Sequence, residues 1–263
     1  MELGIAGRRA LVCGASKGIG QAIAAALAQE GAQLFLCARN EAALKAAAGE
    51  TEVLAQAPVY FQSCDLSDQA SRESLIKAVK DLFPALDILI HNVGGPKTSS
   101  VEETDLTDWE RGFQQLFQSV AHLNAAFLPA MKENRWGRIV TVTSLSVMEP
   151  IPALAISNAV RSAVTGMMKT LADEVACFNV CVNCVAPGLI LTDRTEERVN
   201  ALIERHGGTR ESYLSDWAKS IPAGRLGRPE EFAAVVCFLC SEKASYLTGS
   251  TICIDGGKRR STY

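Results

Sequence analysis

The turn Cys13-Gly14-Ala15-Ser16-Lys17-Gly18-Ile19-Gly20 decides how this chain folds. An apolar run, Ala10–Val12, leads into it, and an alanine-rich stretch with helical spacing, Ile19–Gln29, follows it. In this order of strand, turn and helix, unpaired backbone N–H groups at the start of the helix can bind phosphate. Side chains at the three glycines would block a pyrophosphate or hold the helix off the strand. The predicted dinucleotide-binding residues here are Gly14, Ser16, Lys17, Gly18, Ile19 and Gly20.

Apolar strand-like runs alternate with helix-like runs along the rest of the chain. The predicted strands are Arg9–Cys13, Gln33–Cys37, Val59–Ser63, Ile88–His91, Ile139–Thr143, Val180–Val185 and Thr251–Ile254. The later predicted helices are Glu41–Ala55, Asp68–Leu82, Trp109–Lys132, Ala155–Ala176 and Glu230–Leu239. Several strands are solidly apolar, which is typical of strands covered on both faces. We therefore predict an α/β, doubly wound Rossmann fold, a single domain over residues 1–263 with a seven-stranded parallel sheet flanked by helices.

Composition excludes several other classes of protein. The 263 residues carry a net charge of −3 without a dense basic stripe, which argues against nucleic-acid binding. No apolar run reaches membrane-spanning length and no signal peptide is recognisable, so we expect a cytoplasmic protein without a membrane partner. None of the three histidines stands at a ligand spacing from any of the nine cysteines, so we expect no metal site.

One polar and charged insertion, from Thr192 to Ala223, interrupts the alternation of strands and helices. It lies between the sixth strand and the last helix. Segments of this length in a compact domain often act as lids over a site. A plain surface excursion would explain the same composition, so both interpretations stay open.

The residues after the second strand indicate which dinucleotide is bound. In dinucleotide folds an acidic residue at this strand end binds the 2′-hydroxyl of the adenosine ribose. This chain has Cys37-Ala38-Arg39-Asn40 there, without an acid. Arg39 and Lys17 could instead bind a 2′-phosphate through charge-assisted hydrogen bonds, although two solvated basic side chains would look the same. We expect NADP(H) in preference to NAD(H).

Four further motifs follow the glycine turn in order. They are Cys64-Asp65-Leu66, His91-Asn92-Val93-Gly94, Pro187-Gly188-Leu189-Ile190-Leu191-Thr192, and the C-terminal Tyr246–Ser250 with Ile254–Gly257. With them the chain resembles the short-chain dehydrogenase/reductase family over essentially its whole length. Within that family it looks most like the 3-oxoacyl carrier-protein reductases.

The resemblance implies roles for these motifs. The family contacts adenine at the first of them and holds the nicotinamide carboxamide at the loop after the sixth strand. The cofactor-binding residues implied outside the glycine turn are Asp65, Leu66, Asn92, Gly94, Pro187, Gly188, Ile190 and Thr192. It also implies a small-molecule carbonyl or alcohol substrate and a homodimer or homotetramer.

The catalytic motif is where the chain departs from the family pattern. The family uses a serine after the fifth strand, a tyrosine thirteen residues later, a lysine four residues further on, and an asparagine from the preceding long helix. Here Ser144 supplies the serine, but Ser157 stands at the tyrosine position and Arg161 at the lysine position. Leu116 stands at the asparagine position, and no tyrosine occurs between Tyr60 and Tyr213.

These exchanges weaken proton transfer. A phenol with an unperturbed pKa of about 10 can be brought toward neutrality by neighbouring charge, whereas an aliphatic hydroxyl is a far weaker acid. Arginine stays protonated and offers charge and a hydrogen-bond fork but no proton. Losing a positioned general acid typically costs about 10²–10⁴ in rate. Ser144 can still donate to a developing alkoxide.

Three functional interpretations follow. The first is an NADPH-dependent carbonyl reductase whose proton comes from water held by Ser144, Ser157 and Arg161, or from an insertion residue such as Tyr213. The second is a cofactor-binding protein that is catalytically weak or inactive, a sensor or a partner subunit. The third is non-redox chemistry on this scaffold, as in the halohydrin dehalogenases, which resemble the family and have arginine at the lysine position. Those enzymes keep the tyrosine and lack the glycine turn, the reverse of this chain.

Overall fold

Seven parallel strands form one sheet in the computed structural model, which describes residues 2–55 and 57–262. They are β1 (Arg9–Cys13), β2 (Gln33–Ala38), β3 (Val59–Ser63), β4 (Ile88–His91), β5 (Gly137–Val142), β6 (Val180–Pro187) and β7 (Thr251–Ile254). The sheet order is β3-β2-β1-β4-β5-β6-β7. The winding direction therefore reverses between β1 and β4, and ligands of such sheets bind at the carboxyl ends of the strands beside that reversal.

Nine α-helices are found in the part of the chain that the structure describes. They are α1 (Gly18–Gln29), α2 (Glu41–Ala55), α3 (Gln69–Leu82), α4 (Leu106–Phe113), α5 (Ser119–Glu133), α6 (Ala155–Val175), α7 (Asp193–His206), α8 (Arg210–Lys219) and α9 (Pro229–Leu239). All strand pairs are parallel, so each connection between neighbouring strands crosses over one face of the sheet.

The two faces of the sheet carry separate hydrophobic cores. Helices α1, α2 and α9 cover one face, where Ile23 and Phe232 are fully buried. Helices α3, α5 and α6 cover the other, where Leu75 and Leu123 are fully buried. Because both faces are covered, the central strands read as continuous apolar runs in the sequence. The predicted doubly wound α/β fold is confirmed.

The long helix predicted over Trp109–Lys132 is longer and less regular than expected. It begins at Leu106, where the Asp105 side chain accepts a hydrogen bond from the Asp108 N–H at 2.7 Å. One π-helical turn, Gln114–Gln118, separates α4 from α5. Such turns often occur at functional sites. Sequence periodicity does not readily reveal them, because the spacing of apolar residues is helical on both sides and one extra residue only shifts its phase.

The insertion at residues 192–223 contains two helices that the sequence analysis did not predict, α7 and α8. Val199 is its fully buried anchor, whereas no residue of α8 is buried. A helix with so narrow an apolar stripe gives a weak periodic signal. The two interpretations of this segment, a lid or a surface excursion, did not include its helical content.

None of the helices among the described residues combines the length and the apolar character required of a membrane span. All nine cysteines are free thiols, and most of them are buried. Cys181 and Cys184 lie three residues apart on β6, so their side chains point to opposite faces of the sheet.

Candidate active site

The glycine turn, residues 13–20, is packed too tightly for side chains at two of its glycines. Gly14 has a φ of +61°, which favours glycine, and a Cβ there would overlap the Asn92 carbonyl oxygen. A Cβ at Gly20 would overlap the Gly14 carbonyl oxygen, because the first turn of α1 lies directly against the turn. The Asn92 side-chain amide donates to that same Gly14 oxygen at 3.1 Å. These contacts bring the start of α1 and the end of β4 together.

The first turn of α1 keeps its backbone N–H groups available. Lys17 is the N-cap residue, and its side chain makes no capping hydrogen bond. The first turn of α1 contains no acidic side chain. Backbone N–H groups and the helix dipole together favour a phosphate at such a helix start. The tight glycine turn with an uncapped helix start fits the pyrophosphate of a dinucleotide.

The ends of β2 and β3 lie beside this turn. Arg39 is exposed after β2, and its backbone carbonyl accepts a hydrogen bond from Ser63 Oγ at 3.1 Å. Burial opposes ionisation of Asp65, but the N–H and hydroxyl of Ser67, at 2.9 and 2.8 Å, together with Arg39, hold the pKa of Asp65 below its ordinary value. Asp65 is therefore ionised at neutral pH, with Leu66 following it on the core side.

Three donor side chains surround the segment that follows β4, Val93–Gly95. The Arg161 guanidinium donates to the Val93 carbonyl at 3.0 Å, and the Gln115 amide donates to the Gly94 carbonyl at 3.0 Å. The guanidinium of Arg194 lies against Gly95, where a Cβ would overlap it. Neither Gln115 nor Arg194 belongs to the motifs of the sequence analysis, and their contacts depend on the π-helical turn and on α7, which were not predicted.

The loop after β6 is fixed at both ends. The Gly188 N–H donates to the Ile254 carbonyl at 2.9 Å, and a Cβ at Gly188 would come within 2.6 Å of the Asp255 Cα.

Ile190 pairs with Gly227 in an isolated parallel bridge. Pro187 ends β6, and Thr192 lies beside the glycine turn, with its Cγ2 at 3.3 Å from where a Gly18 Cβ would stand. The loop therefore runs from the sheet to the start of α1.

The residues at the predicted catalytic positions share one region. Ser144 follows β5, and its Oγ accepts a hydrogen bond from the Ser146 N–H at 3.1 Å.

Ser157 and Arg161 lie one turn apart on α6, so they share a helix face. They are 7% and 8% exposed. Arg161 also donates to the Val142 carbonyl at 3.0 Å, two residues before Ser144, which turns this face toward the ends of β4 and β5.

Arg161 is a buried cation that bonds to backbone, not to a carboxylate. Burial, and then the nearby charge of Arg194, lower the pKa of Arg161 to about 10, so it remains charged at neutral pH. Its two bonds join the ends of β4 and β5. The Ser157 hydroxyl makes no hydrogen bond within the described chain, which leaves it free for a ligand or water.

No tyrosine in the described ranges takes over the missing position. Tyr60 packs its ring against Phe83 at 6.4 Å, and Tyr246 is fully exposed. The Tyr213 hydroxyl donates to the Gly207 carbonyl at 2.9 Å inside the insertion itself.

Leu116, at the asparagine position, is 2% exposed and packs in the core with α3 and α6. No cluster of potential metal ligands occurs among the residues that the structure covers.

Helix α7 lies across the glycine turn. Lys17 Nζ is 3.0 Å from Glu197 Oε1 and 3.8 Å from Asp193 Oδ2. Both carboxylates belong to α7, so the lysine that was predicted for a 2′-phosphate is paired with the insertion. Only the tertiary structure shows this pairing, since the partners are about 180 residues apart.

Comparisons with known proteins agree with this geometry. A family model described as enoyl-(acyl carrier protein) reductase matches residues 14–259. The chain is 34% identical to the 3-oxoacyl-[acyl-carrier-protein] reductase FabG of Haemophilus influenzae over 251 residues, 95% of this chain and 98% of that protein.

Two solved structures are similar along the whole chain. The L-sorbose reductase of Gluconobacter frateurii, complexed with NADPH and L-sorbose, superposes with a TM-score of 0.95 at 32% identity, covering 99% of this chain and all of that one. An NADPH-bound short-chain oxidoreductase from Pseudomonas aeruginosa PAO1 with an atypical catalytic center gives a TM-score of 0.88 at 31% identity, covering 97% and 98% of the two chains. The chain therefore belongs to the short-chain dehydrogenase/reductase family and is similar within it to 3-oxoacyl-[acyl-carrier-protein] reductases.

Proposed function

We propose that this protein is an NADP(H)-dependent oxidoreductase that interconverts a carbonyl compound and an alcohol without a tyrosine as proton donor. The observation that carries this function is the glycine turn, in which Gly14 and Gly20 leave room only for backbone and the first turn of α1 stays uncapped. Two similar solved structures contain NADPH, which supports NADP(H) for this chain. Arg39 and Lys17 are the proposed partners of the 2′-phosphate.

When bound, the nicotinamide supplies or accepts the hydride. The residues of this chain orient the substrate and supply a hydrogen-bond donor. Ser144 follows β5, where its hydroxyl can donate to an oxygen that gains negative charge during reduction. The unpartnered Ser157 hydroxyl can hold a water that delivers the proton. Arg161 does not release its proton at neutral pH, and its charge favours an alkoxide.

The insertion, residues 192–223, is proposed to act as a lid. Its first helix is paired with Lys17 of the glycine turn, and Thr192 touches the same turn. The ion pairs that join α7 to the glycine turn are exposed and contribute about 0–1 kcal/mol each, so they oppose opening only weakly. Closure over the site would exclude water from the hydride transfer.

A panel of ketones and aldehydes tests the activity, with the loss of NADPH fluorescence as the signal. We expect slow oxidation of NADPH that depends on one class of carbonyl compound. Ser144→Ala should lower kcat by roughly tenfold or more, because an aligned donor to the developing alkoxide is lost. Ser162→Ala, an exposed serine on α6, is the matched control and should leave the rate unchanged.

A catalytically inactive, cofactor-binding protein is the second candidate. It is favoured by the two backbone hydrogen bonds of Arg161, which occupy the guanidinium that would otherwise assist chemistry. The double variant Ser157→Tyr with Arg161→Lys restores the family pattern. If the wild type binds NADPH, and neither it nor the double variant oxidises NADPH with any carbonyl compound, the role of a sensor or partner subunit replaces the enzymatic one.

A further inference from the structure

Arg194 is a cation without a counter-ion at the mouth of the candidate site. The neighbouring carboxylates of α7 are all engaged: Asp193 and Glu197 with Lys17, and Glu196 with Arg210. Arg194 lies within ion-pairing distance of no carboxylate among residues 2–55 and 57–262. Its position in the first turn of α7 is unfavourable for a cation, because the helix dipole places partial positive charge there.

The guanidinium of Arg194 lies beside Gly95. Its Cζ and both terminal nitrogens lie against the open side of Gly95, where any Cβ would overlap them. Gly95 has no positive φ, so its backbone would accept a larger residue, and a Cβ there would displace only the Arg194 guanidinium. Arg194 therefore lies against the segment that follows β4.

The guanidinium of Arg161 contacts the same segment, Val93–Gly95. Arg161 donates to the Val93 carbonyl at 3.0 Å, two residues before Gly95, and it too has no carboxylate partner in the described structure. The two cations are close enough for the charge of Arg194 to contribute to lowering the pKa of Arg161. Arg194 is exposed to solvent and Arg161 is buried, so the repulsion between the two charges falls mainly on Arg161, and an anion bound beside Gly95 would relieve it.

We propose that Arg194 binds an anionic group of a ligand beside Gly95, with the charge of Arg161 behind it. The planar guanidinium fork suits two oxygen atoms, of a carboxylate or of a phosphate. This inference rests on the proposed function: the anion is a carboxylate on the carbonyl substrate or a phosphate of the dinucleotide. The start of α1 already offers the pyrophosphate a separate binding site, which favours the substrate carboxylate at Arg194.

The test compares the wild type with Arg194→Gln, which removes the charge, and with Gly95→Ala, which displaces the guanidinium but keeps the charge. Arg198→Gln is the matched control, since Arg198 lies one turn further along α7 and stacks on Trp217 at 5.1 Å. Each protein is titrated calorimetrically with NADPH. Each is then titrated, free and NADPH-loaded, with acetoacetate and 2-oxobutyrate and with the neutral amides of both acids.

We expect the oxo acids to bind the wild type more tightly than their amides do, and both site variants to lose roughly tenfold or more of that affinity, as for a charged hydrogen-bonded pair. Arg198→Gln should bind like the wild type. If the variants instead lose NADPH affinity by a similar factor, the anion is the phosphate of the cofactor. The proposal would be overturned if the variants bind NADPH like the wild type and the wild type does not bind the oxo acids more tightly than their amides.

The design separates this inference from the proposed function. A wild type that does not bind NADPH contradicts the oxidoreductase, yet the oxo-acid titrations of the free protein still decide the role of Arg194. A wild type that binds NADPH, with neither an acid preference nor an effect of the Arg194 and Gly95 variants, contradicts only the anion site.

Discussion

Arg161 carries a full positive charge into the buried end of the sheet and bonds there to two carbonyl groups. Its residue type was readable from the sequence, and its position relative to Ser144 followed from counting. Its hydrogen-bond partners were not readable, because the Val93 carbonyl follows β4 and the Val142 carbonyl ends β5, and these two strands come together only in the folded chain. For single residues, the sequence predicts which side chains lie at the site but not which of their donors and acceptors are already hydrogen-bonded within the protein.

Gly20→Ala is predicted to disrupt cofactor binding. The added methyl group would overlap the Gly14 carbonyl and push α1 away from the turn. We expect roughly tenfold or weaker NADPH binding and a loss of about 1–3 kcal/mol in the free energy of unfolding, as in overpacked cores. Fluorescence titration and urea denaturation measure the two effects.

Gly49→Ala is the control, since the added methyl group on the exposed side of α2 would meet no atom beyond its own turn of helix within 4 Å. It should raise the free energy of unfolding by about 0.5–1 kcal/mol and leave NADPH binding unchanged. Equal behaviour of the two alanine variants would contradict the role of Gly20.

His91 is predicted to make stability depend on pH. Its Nε2 lies 2.8 Å from Asn124 Oδ1, its Nδ1 has no partner, and burial lowers its pKa from 6.5 to about 4. Between these values only the unfolded chain takes up the proton, so the free energy of unfolding falls as the pH falls. At pH 5 the loss relative to pH 8 is about 2 kcal/mol from this residue.

Urea denaturation at both pH values measures this contribution. His91→Gln should be less sensitive to pH than the wild type, whereas His206→Gln, at the exposed end of α7, should behave like the wild type. A wild type whose unfolding midpoint does not change between these pH values would show that His91 is not buried in the neutral form.

Among the elements of secondary structure, helix α7 was not predicted from the sequence. The strands and the core helices were predicted to within a few residues, because each buries a continuous or periodic apolar surface. Helix α7 has a single fully buried residue, Val199, and its other residues are half-buried or exposed. The interruption of the long helix at Gln114–Gln118 was missed for a related reason, since its apolar periodicity continues on both sides.

Glu197→Gln is predicted to strengthen NADPH binding. Its carboxylate holds Lys17 at 3.0 Å, and removing it frees the lysine for the 2′-phosphate. Because both side chains are more than half exposed, the expected gain is about two- to fivefold, the size of an exposed ion pair. Fluorescence titrations at low and high salt measure it, and the gain should shrink as salt screens the pair.

Glu204→Gln removes a carboxylate from the same helix without touching Lys17 and should bind NADPH like the wild type. Weaker binding by Glu197→Gln would mean that the carboxylate supports the cofactor, contrary to the proposed pairing.

For the whole molecule, the order of the motifs predicted the family and the fold, because most of the motifs follow a strand and all strands end at one edge of the sheet. The separate roles of the site residues, the lid and the homodimer or homotetramer stay predictions. The chemistry was the least accessible part. It depends on which hydroxyl remains free beside Arg161, and the structure leaves Ser157 without a protein partner.

Titration of the purified protein with NADPH and, in parallel, with NADH tests whether the glycine turn binds a 2′-phosphorylated dinucleotide. Cofactor fluorescence gives both dissociation constants. We predict low-micromolar binding of NADPH and binding of NADH weaker by about tenfold, equivalent to about 1.4 kcal/mol from the 2′-phosphate contacts. No binding of either dinucleotide, or tighter binding of NADH than of NADPH, would contradict the account.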